Sequence, residues 1–168
     1  MSARLTTAVK LADAAQGILH KTRRFPEHRF DGAENPGERE HVGVEPMLLA
    51  LSMEFALKAW FVFDYDDPKV RKTHNLIVLF DALKPESRES LDSAFRDTVA
   101  PQHPNCLFHL EPGIRNILFQ HRDAFTEWRY LHEPKRLMMF EQSVFEATLE
   151  MVIQEFRKRY VEVPVRPV

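Results

Sequence analysis

Residues 47–63, MLLALSMEFALKAWFVF, are apolar almost all the way round at helical spacing, broken only by Ser52, Glu54 and Lys58. A helix of that kind is a buried helix. Charges carried into a core are costly unless they find partners. Glu54 and Lys58 must therefore be answered from elsewhere in the chain, which offers His74, Arg115, His121, Arg122, Arg129 and Glu133. The run is as long as a short membrane span, but two charges near its middle would be expensive in lipid. The expectation is a core helix and no membrane partner.

The rest of the sequence agrees with a helical core. Its 168 residues suffice for one domain. Only 5 are Gly, and few segments alternate as strands do, which points to an all-α fold. The formal net charge of −2 supplies no general basic field, so nucleic-acid binding would have to rest on a local patch. The single Cys106 excludes an intrachain disulfide and most cysteine metal sites, and fits a cytoplasmic location. The N-terminus, MSARLTTAVKLADAA, has no continuous apolar segment and reads as an amphipathic helix rather than a signal peptide.

Periodicity and breakers divide the chain into five to six helices. The first spans about 2–24, with Leu5, Ala8, Val9, Ala12, Ala15, Ile18 and Leu19 at helical spacing. A Pro- and Gly-containing loop follows at 25–43, expected to be mobile. The second helix covers about 45–63, with Pro46 in its first turn. The third starts after Thr73, an expected N-cap, and covers about 74–83. Pro85 opens a fourth to Val99, and a long fifth runs from Gly113 to His132, ended by Pro134. A last helix covers about 136–160, with a loose tail at 161–168. No repeat or domain boundary interrupts the single domain 1–168.

Three constellations could carry chemistry. On the 113–132 helix, His121 falls in the apolar register of Ile114, Ile117, Leu118, Phe125, Trp128 and Leu131. Arg115, Arg122 and Arg129 recur every seven residues along one edge of that face. A His flanked by arginines suits an anion, and equally a hydrogen-bonded core residue beside a solvated edge. On the second helix, Glu54 and Lys58 stand at i, i+4, either as a structural ion pair or with Glu54 orienting His74, His121 or an arginine. His74, at a helix start, suits either a ligand contact or a capping role. A metal site is not expected. No HExxH pair is present, and His103 and His109 about Cys106 are a poor ligand set. No cofactor fingerprint occurs either: there is no phosphate-binding loop, GxGxxG or GxSxG.

Three blocks resemble a bacterial group of HEPN domains (higher eukaryotes and prokaryotes nucleotide-binding). They are SMEFALKAWFVF (52–63), KTHNLIVLFDAL (72–83) and FTEWRYLHE (125–133), in that order. They read S-x-E-x-x-L-K, H-x-L-x-x-L-F and F-x-x-W-R-Y-x-x-E, and the resemblance covers about 46–133 plus a final helix. It implies a helical bundle and a homodimer. Many HEPN proteins are metal-independent endoribonucleases carrying R-x(4–6)-H, matched here by Arg115-Asn116-Ile117-Leu118-Phe119-Gln120-His121. On that resemblance His121 is the general base or acid, Arg115 stabilises charge on the phosphate, and Asn116 orients. Glu54, Lys58, His74, Arg122, Arg129, Tyr130 and Glu133 form a polar network or ligand site. The expected function is RNA cleavage in a toxin–antitoxin or phage-defence setting, with RNA or a nucleotide, a second copy, and a cognate antitoxin or defence protein as partners. The alternative is a non-catalytic HEPN module that binds a nucleotide, RNA or a protein.

Overall fold

Small side chains set the closest helix pair. In the computed structural model, which describes residues 3–25, 44–104, 112–130 and 140–159, helix α1 (Ala3–Thr22) lies along helix α2 (Val44–Tyr65). Ala8, Ala12, Ala15 and Leu19 of α1 are buried in that contact. Alanine adds little bulk at i, i+4 spacing, so the two backbones come close enough for the Ser52 hydroxyl to donate to the Ala15 carbonyl at 2.7 Å.

Helix α2 is the axis of an all-α bundle, touching α1 and helices α3 (Leu76–Asp81), α6 (Ala124–Arg129) and α7 (Gln142–Lys158). By length and composition it could cross a membrane, as core helices of soluble bundles also can, and 56% of that apolar window is buried against the rest of the chain. On one side Trp60 donates its indole N–H to the Val152 carbonyl at 3.1 Å and meets Phe156 edge-on. Helix α7 faces it with Val144, Phe145, Leu149, Val152, Ile153 and Phe156, all buried, at the helical spacing its sequence shows.

Several element boundaries differ from the sequence expectation, each for a local reason. Helix α3 begins later than 74, because Asn75 rather than Thr73 is its N-cap. The Asn75 amide oxygen accepts from the Ile77 and Val78 N–H groups, both at 3.1 Å, while Thr73 Oγ1 accepts from Asn75 N. Helix α4 (Pro85–Ala94) continues to Val99, but through a π turn (Phe95–Val99) and then a 3-10 turn (Ala100–Gln102). Pro101 has no N–H to donate and its ring crowds the carbonyl four residues back, so the ladder changes register before it.

The expected long helix 113–132 is two helices. Helix α5 (Ile114–Gln120) ends at a turn over 121–123, and α6 starts at Ala124. The break is held by α3. The Arg122 carbonyl accepts from Leu76 N at 3.0 Å, and the Asp123 carboxylate accepts from the Asn75 amide at 2.9 Å. A backbone carbonyl aimed sideways at a neighbouring helix is drawn off its own ladder, and the Asp123 side chain fixes the turn beside it. Arg115, Arg122 and Arg129 therefore do not form one edge of a continuous helix. The last helix, expected from 136, is helical only from Gln142, since Phe140 and Glu141 are described and lie outside it. All but the first residue of the expected loop over 25–43, residues 131–139 and the tail 161–168 lie outside the described residues, as do Cys106, His109, His132 and Glu133.

One carboxylate joins three elements at the end of α2. Asp64, 9% exposed, accepts from Lys84 N at 3.0 Å, the Ser87 hydroxyl at 2.6 Å and an Arg159 guanidinium N–H at 3.3 Å. It ties the end of α2 to the first turn of α4 and to the residue after α7.

Candidate functional site

The charged residues of α2 find their partners beside α3 and α6. The Glu54 side chain is 3% exposed, and its two oxygens are both used: Oε1 accepts from Lys58 Nζ at 2.5 Å, and Oε2 stands 2.8 Å from His74 Nδ1. A carboxylate beside a lysine can only accept, so the His74 Nδ1 is the atom that carries the proton. Lys58 is 17% exposed while His74 is 52% exposed, so the network runs from the core to the surface through one imidazole. The Phe125 ring of α6 lies 4.5 Å from the His74 ring at an interplanar angle of 32°. With Nδ1 tied to Glu54 and one face covered by Phe125, the ring is oriented, and His74 Nε2 has no hydrogen-bond partner among the described residues.

The segments that build the site also carry cations. Lys69, Arg71 and Lys72 are exposed in the segment leading to His74. Arg122 is held by Asp123 at 3.3 Å, donates to the Phe119 carbonyl at 2.9 Å and covers the exposed Phe119 ring at 4.3 Å. Arg129 lies 5.2 Å from the ring of Tyr130, which is 44% exposed.

The two halves of the R-x(4–6)-H match are not brought together. Arg115 is exposed and makes a two-pronged ion pair with Asp81 of α3, at 3.1 and 2.9 Å, which raises its pKa above the ordinary value. His121 is 3% exposed, at the break after α5, with its ring between Phe140 at 4.7 Å and Phe145 at 5.2 Å. Burial pushes its pKa down from 6.5 to about 4, and its Nε2 is buried without a hydrogen-bond partner. Asn116 is half-buried on the same helix as Arg115. Of the residues singled out from the sequence, then, Glu54, Lys58 and His74 converge. Arg115 and Asn116 line a separate cleft, and His121 belongs to the core.

Sequence reasoning placed Phe125 on an apolar stripe and did not foresee its stacking on His74. The Asn75–Asp123 bridge was also missed. An Asn directly before a short apolar run is a cap signal, and a stricter use of it would have found Asn75. Among the described residues no group of three or more His, Cys, Asp or Glu side chains is placed to hold a metal ion.

No protein-family model matches the chain, and no curated protein or solved structure is significantly similar to it. An imidazole with one nitrogen fixed on a carboxylate and the other unpartnered can donate to, or accept from, a group arriving from solvent. The exposed Lys69, Arg71 and Lys72 on the segment leading to it favour a negative one.

Proposed function

We propose that the chain is a non-catalytic HEPN-like binding module that receives a phosphate of a nucleotide or of RNA at the surface around His74. The observation that carries this reading is the Glu54–His74 hydrogen bond, which orients a half-exposed imidazole against Phe125, at the end of a segment with exposed Lys69, Arg71 and Lys72. A ring held in advance gives up little rotamer freedom when a ligand arrives. The binding surface is local, in keeping with a net charge of −2. Titration calorimetry with AMP, ATP and a short single-stranded RNA tests it. Binding of at least one, weakened tenfold or more in folded His74→Ala, is the expected result. No binding by any of the three, or unchanged binding in His74→Ala, overturns the reading.

A second reading, a metal-independent endoribonuclease in a toxin–antitoxin or phage-defence setting, is favoured by the same hydrogen bond. A carboxylate-oriented imidazole with an unpartnered nitrogen is how a general base is held. On this reading His74, rather than His121, takes the proton from the ribose 2′-OH, and a homodimer or a cognate antitoxin or defence protein is its partner. RNA cleavage without added metal, lost in His74→Ala and kept in His121→Leu, supports it. Cleavage that survives His74→Ala removes His74 from the chemistry.

A further inference from the structure

A second polar site lies on other elements. Between α4 and the start of α5 is a cleft of about 520 Å³, lined among others by Arg88, Arg96, Arg115, Glu89, Asp92 and Gly113. Three guanidiniums border it, and two are already neutralised. Arg96 Nε donates to Asp92 Oδ2 at 2.7 Å, and Arg115 pairs with Asp81. Asp92 is fully engaged, because its Oδ1 also accepts from Ile114 N at 3.1 Å. Arg88 is different. It has no ion pair among the described residues, and its Nε is buried without an acceptor.

We propose that this cleft binds a small hydroxylated phosphate monoester, with its phosphate on Arg88. This goes beyond the site around His74 and rests on different residues. Arg88 lines the cleft with no carboxylate partner among the described residues, so its charge is unanswered there, and an oxyanion arriving at its terminal N–H groups answers it. The guanidinium fork matches two phosphate oxygens side by side. Arg96 and Arg115, though paired, keep further N–H groups for the same anion. Glu89 also lines the cleft and is exposed, with no ion pair among the described residues. A carboxylate there repels a second negative group and accepts from hydroxyls, which selects a phosphate carried on a polyol over a dicarboxylate or a polyphosphate.

Gly113 shows how closely the cleft is built. Its backbone is extended (φ −151°, ψ 144°), so no special conformation is at issue. A Cβ there would stand 3.1 Å from Asp92 Oδ1 and 3.6 Å from Arg96 Nη2. The absent side chain lets the start of α5 close against the Asp92–Arg96 pair that borders the cleft.

Titration of the purified chain with ribose 5-phosphate, inorganic phosphate and ribose, by calorimetry and thermal shift, tests the proposal. Ribose 5-phosphate is expected to bind and to raise Tm. Arg88→Met, which keeps the aliphatic stem and removes the fork, is expected to weaken it at least tenfold without lowering the Tm of the free protein. Ribose 5-phosphate that fails to bind, or that binds Arg88→Met as it binds the wild type, overturns the site. Ribose binding as well as its phosphate overturns the anion assignment, and inorganic phosphate binding as tightly as the ester overturns the part given to Glu89.

Discussion

The ring of His121 stands edge-on to Phe145, with centroids 5.2 Å apart and planes at 88°. On another side Phe140 lies 4.7 Å away. An imidazole in that place is packed as an aromatic core residue is. It is a poor proton acceptor, because the charged form would sit among phenyl rings. Arg115 meanwhile spends its fork on Asp81. A sequence match that requires the two to share a phosphate meets, in one chain, two residues with separate occupations.

Acid should weaken the fold through His121. Its folded pKa of about 4 lies below the ordinary 6.5, so between those values the unfolded chain binds the extra proton. Stability is then fully present above about pH 6.5 and declines as pH falls toward 4, by roughly 3 kcal/mol for this group. Urea unfolding of wild type and His121→Leu at pH 7 and pH 4.5 measures it. The difference between the two pH values is expected to shrink in the variant, and an unchanged difference would place the acid sensitivity elsewhere.

Removing Glu54 should cost more than its share of apolar packing. Glu54→Leu strands Lys58, only 17% exposed, and releases His74. A loss of about 2–4 kcal/mol is expected. Lys58→Met added to Glu54→Leu should recover most of it, since the stranded charge is then gone. A double-mutant cycle by chemical denaturation gives the coupling directly, and strict additivity would contradict the pair.

Asp64 offers a third check. Asp64→Ala leaves Lys84 N and the Ser87 hydroxyl without their acceptor and Arg159 without its carboxylate. The expected loss is about 2–4 kcal/mol, against about 1 kcal/mol for Ser87→Ala, which removes one donor only. The ratio of the two losses, read from denaturation midpoints, tests whether the carboxylate acts as a shared acceptor or as one hydrogen bond among several.

Much of the bundle was legible before its structure. Ala8, Ala12, Ala15 and Leu19 mark the buried side of α1 by spacing alone, and the apolar stripe of α7 holds from Val144 to Phe156. Glu54 and His74 were findable because a buried charge demands a partner and the chain offers few. Which of six candidates answers it depends on how α3 and α6 are seated against α2, and that is set by contacts distant in sequence. The break at 121–123 was invisible for a related reason. Its residues, His121, Arg122 and Asp123, include no Gly or Pro, and apolar spacing resumes at Phe125 as though nothing intervened. What opens the ladder there is a claim from α3 on the Arg122 carbonyl and the Asp123 side chain. Asp81 as the partner of Arg115 has the same character, 34 residues away and unmarked by any motif.

The wide turn over Phe95–Val99 has a consequence for chain length. Five residues there close a circuit that four close in an ordinary helix. A chain lacking the exposed Asp97 would bring Val99 three places after Phe95, still on the buried face, with the turn drawn in to the usual width. The fold thus carries one spare residue inside a helix, where a deletion would normally rotate everything beyond it, and at this point the bundle has slack to give up.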